Sequence, residues 1–223
     1  MPRTVKQDRA LRTRAALIQA GAEVFGEEGF AGASVTRIAD RAGVTLGAMY
    51  FHFPSKEALA REIVRSQPEL VSPPLPSEGL QHAVDLTLTW AYQLLTDALL
   101  FAGARLLMEQ DRFIGREEST HRVWTGVLAR DFELAVKRRE LRRSVDAGAL
   151  ARLVVNACAG AQMHAHLETA RVDLPQRVEE MWRLVLPAVA TARVIERLEF
   201  GEERGRCEGG SAGSVPASPG AGS

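Results

Sequence analysis

Apolar residues recur at three- and four-residue spacing along most of this chain, without strand alternation, and the pattern predicts helices. From about Asp8 to Glu28, the residues Ala10, Leu11, Ala15, Leu17, Ile18, Ala22, Val24 and Phe25 fall at helical spacing, and Gly29 follows as a stop. Ser34 is placed to cap a short helix through Ala42, Gly43 supplies a turn, and Thr45 caps a second short helix. A fourth helix starts at Ser55 and runs through Leu59, Ile63 and Val64 towards Gln67. Two short helices joined by such a turn form a helix-turn-helix. The second is expected in the major groove of duplex DNA, its first residues facing base edges and Tyr50 and His52 reaching the backbone from its far end.

Pro68, Pro73, Pro74 and Pro76 predict a loop over 68–77. Beyond it, Leu80 to about Asp97, Leu99 to about Gln110, Ser119 to about Glu140 and Asp146 to about Arg171 each carry a broad apolar face. The stretch Leu174 to about Phe200 contains Pro187, where a kink or break is expected. From Gly201 the chain turns to Gly, Ser, Ala and Pro and reads as disordered. The expected organisation is all-α, with a head over residues 1–54, a larger helical domain over 55–200 and a tail over 201–223.

Composition adds a compartment. No apolar run approaches the roughly 20 residues that span a bilayer, and the N-terminus lacks a signal-peptide core, so the reading is cytosolic with no membrane partner. Cys158 lies in an apolar helical run and Cys207 in the polar tail, which argues for free thiols. The 28 basic and 28 acidic residues cancel, yet a DNA binder needs local positive charge. Arg3, Lys6, Arg9, Arg12 and Arg14 face only Asp8 in the first residues, which sets a basic arm beside the proposed reader.

Trp124, in the middle of a long helix beside Thr125 and Gly126, is the candidate for holding a small molecule, since indole pairs a wide apolar ring with one donor. Trp90 and Trp182 are expected to pack between helices. The segments Leu150–Ala161 and Leu184–Ala190 are apolar almost all round, which a two-fold four-helix dimer interface explains. His164, His166 and Glu168 lack a third ligand at metal spacing, and no P-loop, nucleophile elbow or dinucleotide fingerprint is present, so neither an enzyme, a metal nor a cofactor is expected.

The run Thr36-Arg37-Ile38-Ala39-Asp40-Arg41-Ala42-Gly43-Val44, followed by Gly47-Ala48-Met49-Tyr50-Phe51-His52-Phe53-Pro54-Ser55-Lys56-Glu57, resembles the tetracycline-repressor (TetR) family of bacterial regulators. The remainder is similar to the gamma-butyrolactone receptors of actinomycetes through Ala102–Leu106, Trp124, Ala159-Gly160 with Gln162, and Leu186-Pro187-Ala188. The resemblance implies a homodimeric repressor that binds pseudopalindromic operator DNA and leaves it when a lactone, butenolide or furan enters the larger domain. It further implies that Arg9, Arg12 and Arg14 touch backbone or minor groove, that Thr36 and Thr45 cap helices and bind phosphate, that Gly47 admits the backbone, and that Tyr50, His52 and Lys56 bind phosphates. Phe51 is expected in the head's core. Gln67 would hydrogen-bond the ligand, and Ala157 stands where some relatives carry a ligand-binding threonine. Leu46 departs from the family pattern, which has lysine before Gly47, and so removes one basic contact. Two alternatives stand beside this reading: a regulator of the same fold answering to an antibiotic or intermediate, and a DNA-binding protein whose larger domain only dimerises.

Overall fold

The computed structural model describes residues 5–107, 109 and 120–206. Among them the chain forms α1 (Val5–Gly32), α2 (Val35–Arg41), α3 (Leu46–His52), α4 (Lys56–Leu70), α5 (Gly79–Gln93), α6 (Ala98–Leu107), α7 (Thr120–Lys137), α8 (Ala147–Thr169), α9 (Leu174–Val189), α10 (Ala192–Ile195) and α11 (Glu202–Gly205). Arg3, Cys207 and the tail beyond it lie outside the described residues.

The head closes on side chains that local spacing aims at one point. Leu17, Ala20, Val24 and Phe25 of α1 meet Ile38 and Ala39 of α2, Met49 of α3 and the cap residue Phe53. The same core takes in Leu59, Ala60, Ile63 and Val64 of α4 and Ala102 and Leu106 of α6, so it extends past the expected division at residue 54. Between α2 and α3, Gly43 adopts φ +66°, its N–H donating to Asp40 O at 3.1 Å and that of Val44 to Ala39 O at 3.0 Å. That paired bonding is a Schellman motif, and it fixes the angle at which α3 leaves.

The larger domain wraps a second core around α5. Trp182, wholly buried, donates from Nε1 to Thr87 Oγ1 at 2.8 Å and meets Phe132 edge-on at 6.2 Å. Here three expectations are corrected. The helix before the proline-rich loop runs to Leu70, through Pro68, because a proline in the last turn forfeits a single hydrogen bond. Pro187 likewise sits inside α9, and the break comes at Ala190, where Arg142 holds the carbonyls of Pro187 and Ala190 at 3.0 and 3.1 Å.

The third correction concerns the tail, which does not become disordered at Gly201. Residues 201–206 fold back onto α5, where the Arg204 guanidinium meets Asp85, a carboxylate with no exposed surface. Arg204 Nε lies 3.0 Å from Asp85 Oδ1, while Ser77 Oγ and Gln81 Nε2 donate to the same carboxylate at 2.5 and 2.8 Å. Apolar periodicity gives no sign of this, because the strap is held through Arg204, which pairs with Asp85 and, at 3.3 Å, with Glu199. No helix among the described residues is long and apolar enough to cross a membrane.

Candidate DNA-reading face and internal chamber

Three hydroxyls start the helices of the head. Ser34 Oγ accepts from Arg37 N, Thr45 Oγ1 from Ala48 N and Ser55 Oγ from Ala58 N, each at 3.2 Å. Thr36 does not cap, since Ser34 already occupies that role one residue before the helix; Thr36 stands exposed on its first turn. Arg41 pairs bidentately with Glu27 at 2.7 and 2.9 Å, and Arg37 pairs with Glu28, so α2 is pinned to α1. The Arg41 guanidinium holds the Glu27 carboxyl below its ordinary pKa.

With α2 fixed, α3 shows one side to solvent. Leu46, Gly47, Tyr50 and Phe51 are exposed, next to the exposed Thr45, while Met49 and Phe53 are buried beneath. His52 is half-buried, edge-on to the Phe51 ring at 5.2 Å. Phe51 overturns its expected place in the core: it is 81% exposed, the helix having spent its inward positions on Met49 and Phe53.

The basic set divides. Arg9 and Arg12 are exposed on α1 with no ion pair among the described residues. Arg14 turns the other way, pairing with Glu62 of α4 at 2.5 Å and lying 5.1 Å from the Phe53 ring centre. Lys56 also turns inward, where its Nζ donates to Phe30 O at 2.7 Å and Ala33 O at 2.9 Å above the Phe30 ring. Those acceptors use two of its three protons, so Lys56 ties the end of α1 to α4 instead of facing outward.

Inside the larger domain, helices α4 to α8 line a chamber of about 60 Å³. Gln67 and Trp124, expected to meet a common ligand, both line it. So do Trp90, expected only to pack, and Gln162. Ala157 is not on the wall; Val155, Cys158 and Ala159 of the same helix are. Burial pushes the Cys158 thiol up to about 12, so it stays protonated and unreactive. Gln67 is 2% exposed and donates from Nε2 to Leu99 O at 2.8 Å, its amide lying flat on Gly103 where any side chain would collide.

Helix α6 joins the two regions. Gly103, Ala104 and Leu107 face the chamber, while Arg105 Nη1 donates to Gly26 O at 2.6 Å and Glu109 accepts from Phe30 N at 3.0 Å and Ala31 N at 3.3 Å. These contacts bracket Gly29, whose φ of +73° and ψ of 177° only glycine adopts readily, and which kinks α1.

Comparison with known proteins places this architecture. Residues 17–63 match the model of the bacterial regulatory proteins of the tetR family. The A-factor receptor protein of Streptomyces griseus is 35% identical over 87% of this chain and 70% of its own. TylP, a TetR regulator from Streptomyces fradiae, is 35% identical and superimposes with a TM-score of 0.78, covering 90% of this chain and 89% of its own. A gamma-butyrolactone receptor described as ArpA-like is 26% identical with a TM-score of 0.66, over 85% and 94%. The helix-turn-helix, the coverage of these relatives and the all-helical larger domain together establish that the chain belongs to the TetR family of DNA-binding transcriptional regulators and is not an enzyme.

Proposed function

We propose that the chain is a homodimeric repressor released from operator DNA by a small lactone-, butenolide- or furan-type molecule bound in the internal chamber. The chamber's size against its wall supports this reading most. At about 60 Å³ it holds a few waters at most, whereas small-molecule sites span roughly 300–1,000 Å³. A ligand of that size would part its walls or extend through its mouth. Two of those walls are α4, which leads out of the head, and α6, which grips the end of α1 through Arg105 and Glu109. A ligand that favours the parted state stabilises a different setting of the head by its differential affinity for the two states.

On the head, Arg9, Arg12, Thr36, Thr45, Leu46, Gly47, Tyr50 and His52 form the DNA-binding set, joined by Phe51. Arg14 and Lys56 act behind it, orienting α4 against α1 and α3. Dimerisation is supported by the outer sides of α8 and α9, where Leu153, Met163, Leu167 and Leu184 are 51%, 37%, 75% and 81% exposed. Water is a poor neighbour for such a patch, and a second copy across a two-fold axis covers it and carries two heads to successive major grooves.

The reading is tested with labelled DNA from the chain's own promoter region. The expected result is salt-dependent binding of a dimer, lost on adding γ-butyrolactones together with a change in tryptophan fluorescence. Binding that no lactone, butenolide or furan reverses leaves a DNA-binding protein without the sensing step.

A further inference from the structure

Among the buried polar side chains of the larger domain, one lines the chamber without a hydrogen bond to any described residue. Asp85 is held by Ser77, Gln81 and Arg204, Thr87 lies between Trp182 and two backbone carbonyls, and Gln67 donates to Leu99. The Thr89 hydroxyl is sealed away from any opening. Gln162 of α8 differs from all of these. It is 5% exposed, it lines the chamber, and its amide makes no hydrogen bond to any described residue. A primary amide carries two donors and an acceptor, and burying it unpaired costs stability that an apolar residue of the same volume would not.

The rest of the wall says what would satisfy it. Trp90, Ala104, Leu107, Trp124, Leu128 and Val155 make most of the described lining apolar, and among the described lining residues there is no Asp, Glu, Lys or Arg, His121 and Cys158 being the titratable ones. A cation would surrender its hydration there with no carboxylate among the described lining residues, and an anion would meet only the His121 imidazole. The bond from Gln67 Nε2 to Leu99 O fixes that amide's direction, which leaves Gln67 its Oε1, an acceptor only. Gln162 is under no such constraint and can turn its amide N–H to a ligand, beside the indole N–H groups of Trp90 and Trp124.

We propose that Gln162 is the polar anchor of the chamber, its amide N–H donating to the carbonyl oxygen of an uncharged and otherwise apolar ligand. This assignment rests on the chamber being the effector site. It makes Gln162 a specificity-determining residue, because a ligand without the carbonyl would bury the amide unpaired.

The test uses the full chain, a series of γ-butyrolactones with alkyl chains of increasing length, and the matching 2-alkyltetrahydrofurans, which keep ring and chain but lack the carbonyl. Binding is read by calorimetry and by tryptophan fluorescence. The native chain is expected to prefer each lactone to its partner by about tenfold. In Gln162→Met the preference falls to near parity, through weaker lactone binding with tetrahydrofuran binding kept. The same substitution raises the melting temperature of the ligand-free protein, since an unpaired amide has been removed; a merely structural glutamine would lower it. Gln162→Leu repeats the measurement should the methionine variant not fold, and failure of both to fold overturns the proposal. A Gln162→Met protein that keeps the tenfold preference overturns the assignment and leaves the chamber reading intact. A native chain that binds neither series overturns both.

Discussion

The head and the larger domain invert the ordinary distribution of side chains in opposite directions. On α3 aromatic and aliphatic groups point out, with Phe51 81%, Tyr50 47% and Leu46 42% exposed. In the larger domain amides point in, Gln67 at 2% and Gln162 at 5%. Both arrangements cost the isolated chain stability, one through wetted apolar surface and the other through dehydrated polar groups. Neither results from a poor fold. The same α3 buries Met49 and Phe53, and the same larger domain satisfies Asp85 with three partners. On the proposed function, the inversions fall where something outside the chain would complete the contact: a polar, charged duplex for the head and an apolar small molecule for the chamber.

The comparison assumes that the two regions hold themselves together separately, and Arg204→Ala is the strongest test of that. It leaves the fully buried Asp85 with two neutral donors and no cation, an expected loss of about 3–5 kcal/mol. All three tryptophans, Trp90, Trp124 and Trp182, lie in the larger domain, so their fluorescence should report a much lower melting transition. Amide exchange should quicken in α5 and α9 and change little in α2 and α3, whose core is distinct. Equal quickening in all four helices would mean one cooperative unit and would dissolve the comparison.

Phe51→Ala breaks the other half. If its exposure serves DNA, operator affinity falls by about 1–3 kcal/mol, comparable to losing one good groove contact. Stability should stay within roughly 0.5 kcal/mol, because the ring buries almost nothing in the free chain. Met49→Ala, two residues away on the buried side, should show the reverse balance, costing about 2–5 kcal/mol of stability. An operator affinity indifferent to Phe51 would leave its exposure without a purpose on this face.

How legible each region is follows from how far apart its parts lie in the chain. Caps and turns act over three or four residues, so Ser34, Gly43, Thr45 and Ser55 announce the head directly. Its faces are harder to read. On a helix of seven residues the apolar run Met49, Tyr50, Phe51 fits more than one rotation, and hydrophobicity alone puts phenylalanine inside. What turns it outward is the packing of Met49 and Phe53 into the head's core, a tertiary fact. The chamber collects residues from Gln67 to Gln162 on five helices, and only Trp124, a lone ring amid small and polar neighbours, advertises itself. Arg204 finds Asp85 119 positions away, from a short charged segment, Gly201 to Arg206, that carries no apolar periodicity.

Leu46→Lys sharpens the account of the reading face. Leu46 is exposed beside Thr45 and Gly47, so a lysine there meets solvent in the free protein and phosphate in the complex. One added phosphate contact steepens the dependence of log affinity on log salt by about one unit and tightens binding at low salt. Titrations of operator DNA at several salt concentrations give the slope directly. An unchanged slope places residue 46 away from the backbone, and its apolar contact must then lie with the base edges or nowhere.

The smallest expected effect is a pH dependence confined to the larger domain. His82 of α5 has its Nδ1 3.0 Å from Asp131 Oδ2 of α7, and this carboxylate, against some desolvation, raises the imidazole pKa above its ordinary value, with Asp85 adding to the effect. A folded-state pKa above the unfolded one means that the charged pair stabilises the fold fully below the unfolded histidine's range, near 6.5, and that this contribution is lost as pH rises through the raised value. Both side chains are partly exposed, so the whole term is about 1 kcal/mol or less. His82→Gln should flatten that part of the stability profile as read by tryptophan fluorescence, and amide exchange in α2 and α3 should follow the native pH profile throughout. Should the head respond as well, the α5–α7 contact is being felt across α6, and the two regions share more than the bracket around Gly29.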